Sequence, residues 1–208
     1  MLITLDFETY YDSDYSLRKL TTAEYIQDDR FKVHMVGIKI DDGPTIVHTD
    51  PADIANSLYE IEWDEATLLC QNTHFDGFIL AEHFSIYPYK YADTRSMSQA
   101  LYVGEPSHSL SAIADRLFDD WQKGDELADS KGVETLKGDL LLSIRDYCAN
   151  DVELTYAAYK EMIEDMPERE MQLIDLTARM FCQPQLLLDT QRAIESLLDI
   201  QDAKKAAI

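Results

Sequence analysis

Short apolar runs and longer amphipathic stretches alternate along this chain, and their pattern predicts its secondary structure. The short runs predict β-strands, because they are rich in β-branched and aromatic residues and are bounded by turn residues. These strands cover residues 1–9, 33–40, 45–48 and 66–71. The turn Asp41-Asp42-Gly43-Pro44 joins the second strand to the third and predicts a hairpin.

Helical periodicity marks most of the remaining chain. The predicted helices cover residues 53–59, 75–84, 94–101, 110–118, 143–164, 168–181 and 190–206. Asn72 and Thr73 are expected to cap the second of these helices, and Pro167 is expected to end the fifth. The polar, glycine-containing segment 119–139 predicts a loop.

The order of these elements indicates the fold class. Antiparallel strands followed by alternating strands and helices are typical of an α/β fold with a mixed sheet flanked by helices. The chain after residue 165 is predicted to be entirely helical. We therefore expect one domain over residues 1–165 and a short C-terminal helical extension over residues 166–208.

Composition agrees with one ordinary globular domain. The chain has 208 residues, 46% of them hydrophobic, which is enough to bury a core. No stretch approaches the roughly 18 apolar residues of a membrane span, and no basic-then-apolar leader begins the chain. Cys70, Cys148 and Cys182 are far apart and outside any metal-ligand spacing. They predict reduced thiols in a cytoplasmic protein that has no membrane contact.

The formal net charge of -22 is unusual, because a protein that grips duplex DNA by electrostatics is usually basic. Three interpretations fit this charge. The protein does not meet nucleic acid, it meets nucleic acid only through metal ions, or a neighbouring basic domain holds the nucleic acid. Charge alone does not choose among them.

Asp6 and Glu8 lie in the first predicted strand, within the apolar run Leu2-Ile3-Thr4-Leu5-Asp6-Phe7-Glu8-Thr9. Alternate strand residues share one face, so the two carboxylates lie side by side. Burying either without a partner costs several kcal/mol. One interpretation is a strand end with two solvated acids; the other is a divalent cation that offsets both the burial and the repulsion.

Asp76 follows the predicted strand 66–71, at the start of a helix. An acid in the first turn of a helix is stabilised by the helix dipole, which is sufficient reason for its presence. The functional alternative is that a strand-to-helix turn in an α/β fold opens onto the crevice where sites assemble.

Asp151 lies on the apolar stripe of the long helix predicted over 143–164, one turn after Tyr147. A carboxylate on a packed face needs a partner. That partner is either a hydrogen bond within the core or a functional ligand. The i to i+4 spacing places the Tyr147 phenol beside Asp151, where it can bind a water or a phosphate oxygen.

Other catalytic chemistries lack their motifs. The sequence has no Ser-His-Asp order, no glycine-rich phosphate loop and no CxxC pair. The five histidines do not form a site by their spacing, and structural roles are expected for each, although His74 and His108 are close to a predicted cleft.

Three segments together resemble the DEDD superfamily of ribonuclease H-like 3'→5' exonucleases. Asp6-Phe7-Glu8-Thr9 is similar to its first motif, Asp-x-Glu-Thr. Asn72-Thr73-His74-Phe75-Asp76 is similar to the second, and Tyr147-Cys148-Ala149-Asn150-Asp151 to the third in its tyrosine form. The chain looks most like the N-terminal proofreading domain of a phage family A DNA polymerase, and the helical extension resembles the lead-in to the polymerase domain.

The resemblance implies a ribonuclease H-like fold and two divalent cations, Mg²⁺ or Mn²⁺, bound by Asp6, Glu8, Asp76 and Asp151. Tyr147 would orient the attacking water, and the cations would make that water acidic, since a phenol of pKa about 10 is a poor base near neutral pH. Phe7, Thr9, Asn72 and Phe75 would hold the terminal nucleotide. Lys123, Lys131 and Lys137 belong either to a strand-contacting loop or to a merely solvated one.

The implied substrate is the 3' end of single-stranded DNA, with a DNA polymerase domain as partner in cis or in trans. The implied location is the cytoplasm, of the bacterial host if the chain is encoded by a phage. Two alternatives stay open: a DEDD exoribonuclease that trims RNA, and a non-catalytic acidic module that docks a polymerase or mimics DNA.

Overall fold

The protein is described by a computed structural model over residues 1–119, 121, 129–184, 186 and 188–206. Five strands form one mixed sheet: β1 (Leu2–Thr9), β2 (Val33–Ile40), β3 (Ile46–His48), β4 (Thr67–Cys70) and β5 (Lys90–Asp93). Their order is β3-β2-β1-β4-β5. β2 is antiparallel to β1 and β3, whereas β4 runs parallel to β1 and β5 parallel to β4. The predicted mixed sheet and hairpin are confirmed, and β1 is the central strand.

Eight α-helices are present in the described residues. They are α1 (Thr22–Ile26), α2 (Pro51–Tyr59), α3 (Thr73–Phe84), α4 (Thr94–Leu101), α5 (Leu110–Leu117), α6 (Gly138–Ile163), α7 (Glu168–Cys182) and α8 (Thr190–Ala206). A short 3-10 helix covers Trp63–Glu65. Helix α1 and strand β5 were not predicted, since each is too short to show a clear periodicity. No helix among the described residues is long and apolar enough to cross a membrane.

One sequence-based boundary was wrong. Helix α6 begins at Gly138 rather than at residue 143. Its first turns contain Leu140 and Leu141, which pack against the buried cluster of Met35, Leu136, Ile144 and Cys148, and this packing overrides the weak helix propensity of the segment. The preceding loop is therefore shorter than predicted, and residues 120 and 122–128 of it lie outside the described residues.

The predicted cap of α3 was wrong as well. Asn72 has a left-handed backbone (φ 71°), and its side chain caps nothing. Its N–H donates to Asp93 Oδ1 at 2.8 Å, while the Thr73 hydroxyl donates to the carbonyl of Ala92 at 2.6 Å. Both bonds tie the turn after β4 to the end of β5, so the start of α3 is fixed by tertiary contacts rather than by its own cap.

The core has one large and several smaller parts. Ile3, Leu5 and Phe7 of β1 pack in the large cluster with buried residues of α1, α2 and α3. A second cluster joins Met97 of α4, Ile113 of α5 and Ala158 of α6. The sheet is thus flanked by helices, as expected for a three-layer α/β domain.

Helix α6 approaches β2 closely at Gly37. A Cβ atom at this position would lie 2.8 Å from Val152 Cγ2 and 3.0 Å from Cys148 Sγ. Gly37 is the β2 partner of Asp6 in the antiparallel register. The absent side chain therefore lets α6 lie directly over the part of β1 that carries the acids.

Helix α7 covers the edge of the sheet at β5. The N–H of Tyr91 donates to Asp175 Oδ1 at 2.9 Å, and Arg179 donates to the carbonyl of Tyr89 at 2.6 Å. Gly77 gives α7 room against α3, because a Cβ there would lie 2.9 Å from Cys182 Sγ. Helix α8, by contrast, has no buried residue. The division of the chain at residue 165 stays a prediction.

Replacing Gly37 with alanine tests the close approach of α6. We expect Gly37→Ala to lower the free energy of unfolding by about 1–3 kcal/mol, because the methyl group overpacks the helix–sheet contact. Thermal denaturation measures this as a fall in Tm of roughly 2–4 °C per kcal/mol. The control is Val152→Ala. Alone, this change should leave only a small cavity. Combined with Gly37→Ala, it should restore part of the lost Tm. Equal Tm values for Gly37→Ala and wild type would contradict the contact.

Candidate active site

The carboxyl ends of the parallel strands β1 and β4 bring the acidic segments to one edge of the sheet. Asp6 is partly exposed, whereas Glu8 has only 6% of its surface exposed. Their carboxylate oxygens and the Cys148 sulfur all lie within 4.8 Å of one another. Two negative charges this close in a partly buried site repel strongly unless a cation or a proton intervenes.

Asp76 lies in the first turn of α3 and is buried. Its Oδ1 accepts a hydrogen bond of 3.0 Å from the N–H of Phe7, the residue between the two acids of β1. Burial first, and then the charge of Asp6, raises the pKa of Asp76 well above its ordinary value of 3.8. The helix-dipole explanation is therefore incomplete, since Asp76 also holds β1 and interacts electrostatically with Asp6.

Tyr147 and Asp151 project from successive turns of α6, and both are buried. The Tyr147 phenol is hydrogen-bonded to the Asp151 carboxylate. Burial, followed by the charges of Asp151, Glu8 and Asp6, raises the pKa of Tyr147 above its ordinary value of 10.0. The phenol therefore stays protonated across the physiological range, and donates rather than accepts a proton there.

A cavity of about 780 Å³ opens at this edge, and its volume lies in the range typical of small-ligand sites. We call it the first cavity. Asp6, Glu8, Tyr147 and Asp151 all line it. Asp76 does not line it, but supports the β1 acids from behind through Phe7. The structure thus brings four of the five predicted catalytic residues into one cavity and places the fifth next to it.

The residues predicted to contact the nucleotide are divided between two cavities. Phe7, Thr9 and Phe75 line the first cavity. Phe7 is 4% exposed and its ring stacks on Phe84, so the ring is buried in the core and does not face a nucleotide. The Thr9 hydroxyl is hydrogen-bonded to the Tyr25 hydroxyl at 2.8 Å. Asn72 instead lines a neighbouring cavity.

The loop between β1 and α1 forms one wall of the first cavity and was missed by the sequence analysis. Its lining residues are Tyr11, Asp12, Ser13, Ser16, Leu17, Arg18 and Lys19. Asp12 orders the loop by accepting from the N–H groups of Asp14 and Tyr15, each at 2.7 Å. The sequence did offer one signal for this loop, since the loop follows β1 directly after the paired acids.

The three loop lysines have different positions. Lys131 lines the first cavity. Lys137 is the residue before α6 and is not among the lining residues. Lys123 lies outside the described residues. Of the two described lysines, Lys131 is therefore the one that lines the cavity.

Cys148 is a free cysteine, as predicted, but its place beside the acids was not indicated by its spacing in the sequence. Its sulfur lies beside Asp6 and Glu8, and its thiol donates to the Asp6 carbonyl at 3.6 Å. Burial, and then the charge of Asp6, raises the pKa of Cys148 well above its usual value. The neutral thiol therefore packs behind the acids.

Asp76→Asn tests the electrostatic cost of this site. Because the folded-state pKa of Asp76 lies above 3.8, the folded protein binds this proton more tightly than the unfolded chain does. The contribution of Asp76 to stability therefore falls as the pH rises from about its unfolded-state pKa through its raised folded-state pKa. In EDTA at pH 8 we expect Asp76→Asn to raise Tm by several degrees, with a gain that shrinks as the pH is lowered toward 4.

Asp76→Ala is the matched control for this experiment. Asparagine keeps an oxygen for the Phe7 N–H, whereas alanine leaves that buried donor unpaired, at a cost of about 1–3 kcal/mol. Alanine should therefore lower Tm. A fall in Tm for both variants at pH 8 would contradict the raised pKa.

Known proteins were compared with this structure and sequence. NrnC from Brucella melitensis has the same fold, with a TM-score of 0.59 and 20% identity, over 87% of this chain and 81% of that chain. RNase D from Trypanosoma brucei gives a TM-score of 0.63 and 15% identity over 90% and 67% of the two chains. RNase D from Escherichia coli, an exoribonuclease involved in structured RNA processing, gives a TM-score of 0.59 and 15% identity over 88% of this chain and 45% of that chain. A search of the curated proteins finds no match.

These structures establish the ribonuclease H-like α/β fold that the motifs implied. A family model described as 3'-5' exonuclease matches residues 11–167, which include Asp76, Tyr147 and Asp151. The match begins after Asp6 and Glu8, which the structure itself joins to the same cavity. The chain belongs to the 3'-5' exonuclease family, within the DEDD superfamily of nucleases.

Proposed function

We propose that this protein is a metal-dependent 3'→5' exonuclease of the tyrosine subtype that removes nucleotides from single-stranded or frayed DNA 3' ends. One observation carries the proposal. Asp6, Glu8, Tyr147 and Asp151 come from two distant segments and line a single cavity. A docking module or a DNA mimic does not need four such residues at the base of a cavity.

The donor set fits two divalent cations, Mg²⁺ or Mn²⁺. Asp6, Glu8, Asp76 and Asp151 offer hard carboxylate oxygens, which these ions prefer. The charge of Asp6 raises the pKa of Asp76, so the acids repel one another and a cation would relieve that repulsion. One structure of Brucella melitensis NrnC contains bound Mg²⁺. Asp6, Glu8 and Asp151 would hold one ion, and Asp6 with Asp76 the other.

When bound, such ions acidify a water and stabilise the leaving 3'-oxygen during in-line displacement at phosphorus. The residues of the chain position the reactants. Tyr147 is neutral, so its hydroxyl can orient the attacking water but cannot act as the base. Water loses a proton and adds to phosphorus, the bond to the upstream 3'-oxygen breaks, and that oxygen takes up a proton to become a hydroxyl. A nucleoside 5'-monophosphate leaves. Thr9 and Phe75 would contact the terminal nucleotide.

We favour DNA because Tyr147 stands where the proofreading domains of family A polymerases carry tyrosine. A polymerase domain in cis or in trans would then supply the basic surface that a chain of charge -22 lacks. Its action in the cytoplasm, and a phage origin, are part of the same proposal. An exoribonuclease is the second candidate, favoured by the two RNase D structures among the neighbours.

Degradation of 5'-labelled single strands tests the reaction. With Mn²⁺ we expect a ladder that shortens from the 3' end, faster on DNA than on RNA of the same sequence, and no degradation in EDTA. Faster degradation of RNA would replace the DNA proposal with the second candidate. No shortening of either strand would overturn the exonuclease.

Asp151→Asn tests the site itself. We expect kcat/KM to fall by about a hundredfold or more, because a preorganised charge at the reacting phosphate is lost. Asp146→Asn is the matched control, since Asp146 lies on the same helix, is exposed and pairs with Arg145. It removes the same charge outside the cavity and should leave kcat/KM within about twofold of wild type. Equal losses in both variants would contradict the assignment.

Metal binding has a readout independent of activity. We expect Mn²⁺ to raise the Tm of the wild-type protein, because the ions bind the folded state and not the unfolded chain. Asp6→Asn should lose most of this rise, and Asp146→Asn should keep it. An Asp6→Asn protein with the full wild-type rise would place the ions elsewhere.

A further inference from the structure

A second cavity of about 610 Å³ adjoins the first. Leu17 lines both cavities and is half exposed, so it forms the ridge between them. Asn72, predicted to contact substrate, lines only the second cavity. A substrate that contacts both Asn72 and the acids would therefore extend across both cavities.

The second cavity combines a cation with an aromatic ring. Arg95 lies in the first turn of α4, and Phe181 lies near the end of α7. Both line the cavity, with the apolar Leu20 beside them. A cation and an aromatic surface in one groove are the combination that binds single-stranded nucleic acid, since the cation takes a phosphate and the ring takes a base.

Arg95 is held in place by its neighbours. Its Nη1 donates to Asn72 Oδ1 at 3.3 Å, and the N–H groups of Arg95 and Asn72 both donate to Asp93 Oδ1, at 3.0 and 2.8 Å. Asp93 is buried. The backbone of the two residues is thus fixed by one buried carboxylate, and the Asn72 amide orients the guanidinium.

Arg95 also lacks an acidic partner within the part of the chain that the structure describes. Arg30, Arg116, Arg145 and Arg179 each have one within 4.0 Å, whereas Arg18, Arg169 and Arg192 resemble Arg95 in that part of the chain. In a chain with 40 acidic and 18 basic residues, an arginine that lines a cavity without a carboxylate partner is available to an external anion.

Phe181 is half-buried and supported from behind. It makes edge contacts with His74, at 5.0 Å between ring centroids, and with Phe78, at 5.3 Å. These contacts orient the ring while it lines the cavity. They also make α7 part of the wall of the second cavity.

We propose that the second cavity is a nucleotide subsite upstream of the scissile phosphate, in which Arg95 binds a backbone phosphate and Phe181 packs against a base. The subsite rests on the proposed exonuclease function, since the acids of the first cavity define where the strand is cut. Asn72 acts as a positioning residue for Arg95. Leu17, which lines both cavities, would lie between the terminal nucleotide and the nucleotides upstream of it.

Binding of fluorescein-labelled hexathymidylate, measured by anisotropy in an Asp151→Asn background with Mg²⁺, tests the subsite without turnover. We expect Arg95→Ala and Phe181→Leu each to raise Kd by about tenfold, the effect of one lost phosphate or stacking contact. Phe181→Leu keeps an apolar side chain against Phe78, so folding is preserved. The control Arg145→Ala removes an exposed arginine outside the cavity and should leave Kd unchanged.

The salt dependence separates the two roles. Arg95→Ala should reduce the slope of log Kd against log salt by about 0.7, since one phosphate contact with a single strand is lost, whereas Phe181→Leu should leave it unchanged. An unchanged Kd in both variants, or an unchanged slope in Arg95→Ala, would overturn the subsite.

Hydrolysis distinguishes failure of the subsite from failure of the function. Thymidine 5'-p-nitrophenyl phosphate carries one nucleotide and needs only the first cavity. In the otherwise wild-type protein, Arg95→Ala should lower the ratio of kcat/KM for hexathymidylate over this ester about tenfold, through KM. An unchanged ratio in an active protein would refute the subsite alone. A wild-type protein that hydrolyses neither substrate would refute the proposed function, while the binding measurement still decides the subsite.

Discussion

Repulsion among carboxylates in a partly buried site is the constraint on which this structure depends. Asp6 and Glu8 are fixed side by side on the central strand, and Asp76 is close enough to Asp6 for its pKa to rise. The protein compensates only in part, by directing the Phe7 N–H at Asp76 and the Tyr147 hydroxyl at Asp151. At position 76, neutralising the carboxylate would therefore relieve repulsion in the fold and would also remove one of the acids proposed to bind a cation.

Close packing decides which helix residues reach these acids. The absent side chain at Gly37 lets α6 lie directly over β1 and β2, and the absent side chain at Gly77 does the same for α7 against α3. A carboxylate on α6 can join a site on β1 only if the two elements are nearly in van der Waals contact. The two glycines thus allow the close packing that fixes the geometry of the cavities, whereas the acids determine their charge.

The sequence predicted those parts of the fold whose signals are local. Strand β1, the hairpin and the apolar stripe of α6 were visible, and three short motifs identified the acids and Tyr147. The loop after β1, Arg95 and Phe181 could not be predicted as cavity residues, because they come together only through tertiary packing. The capping of α3 failed for the same reason, since a carboxylate from β5 replaces the local side chain.

Helix α7 satisfies the outer edge of the sheet with side chains instead of another strand. Asp175 accepts from the backbone of Tyr91, and Arg179 donates to that of Tyr89. An uncovered edge would present unpaired N–H and C=O groups to a second molecule. Helix α7, which lines the second cavity, therefore also limits intermolecular strand pairing at β5, and a chain shortened before α7 would leave this edge of the sheet uncovered.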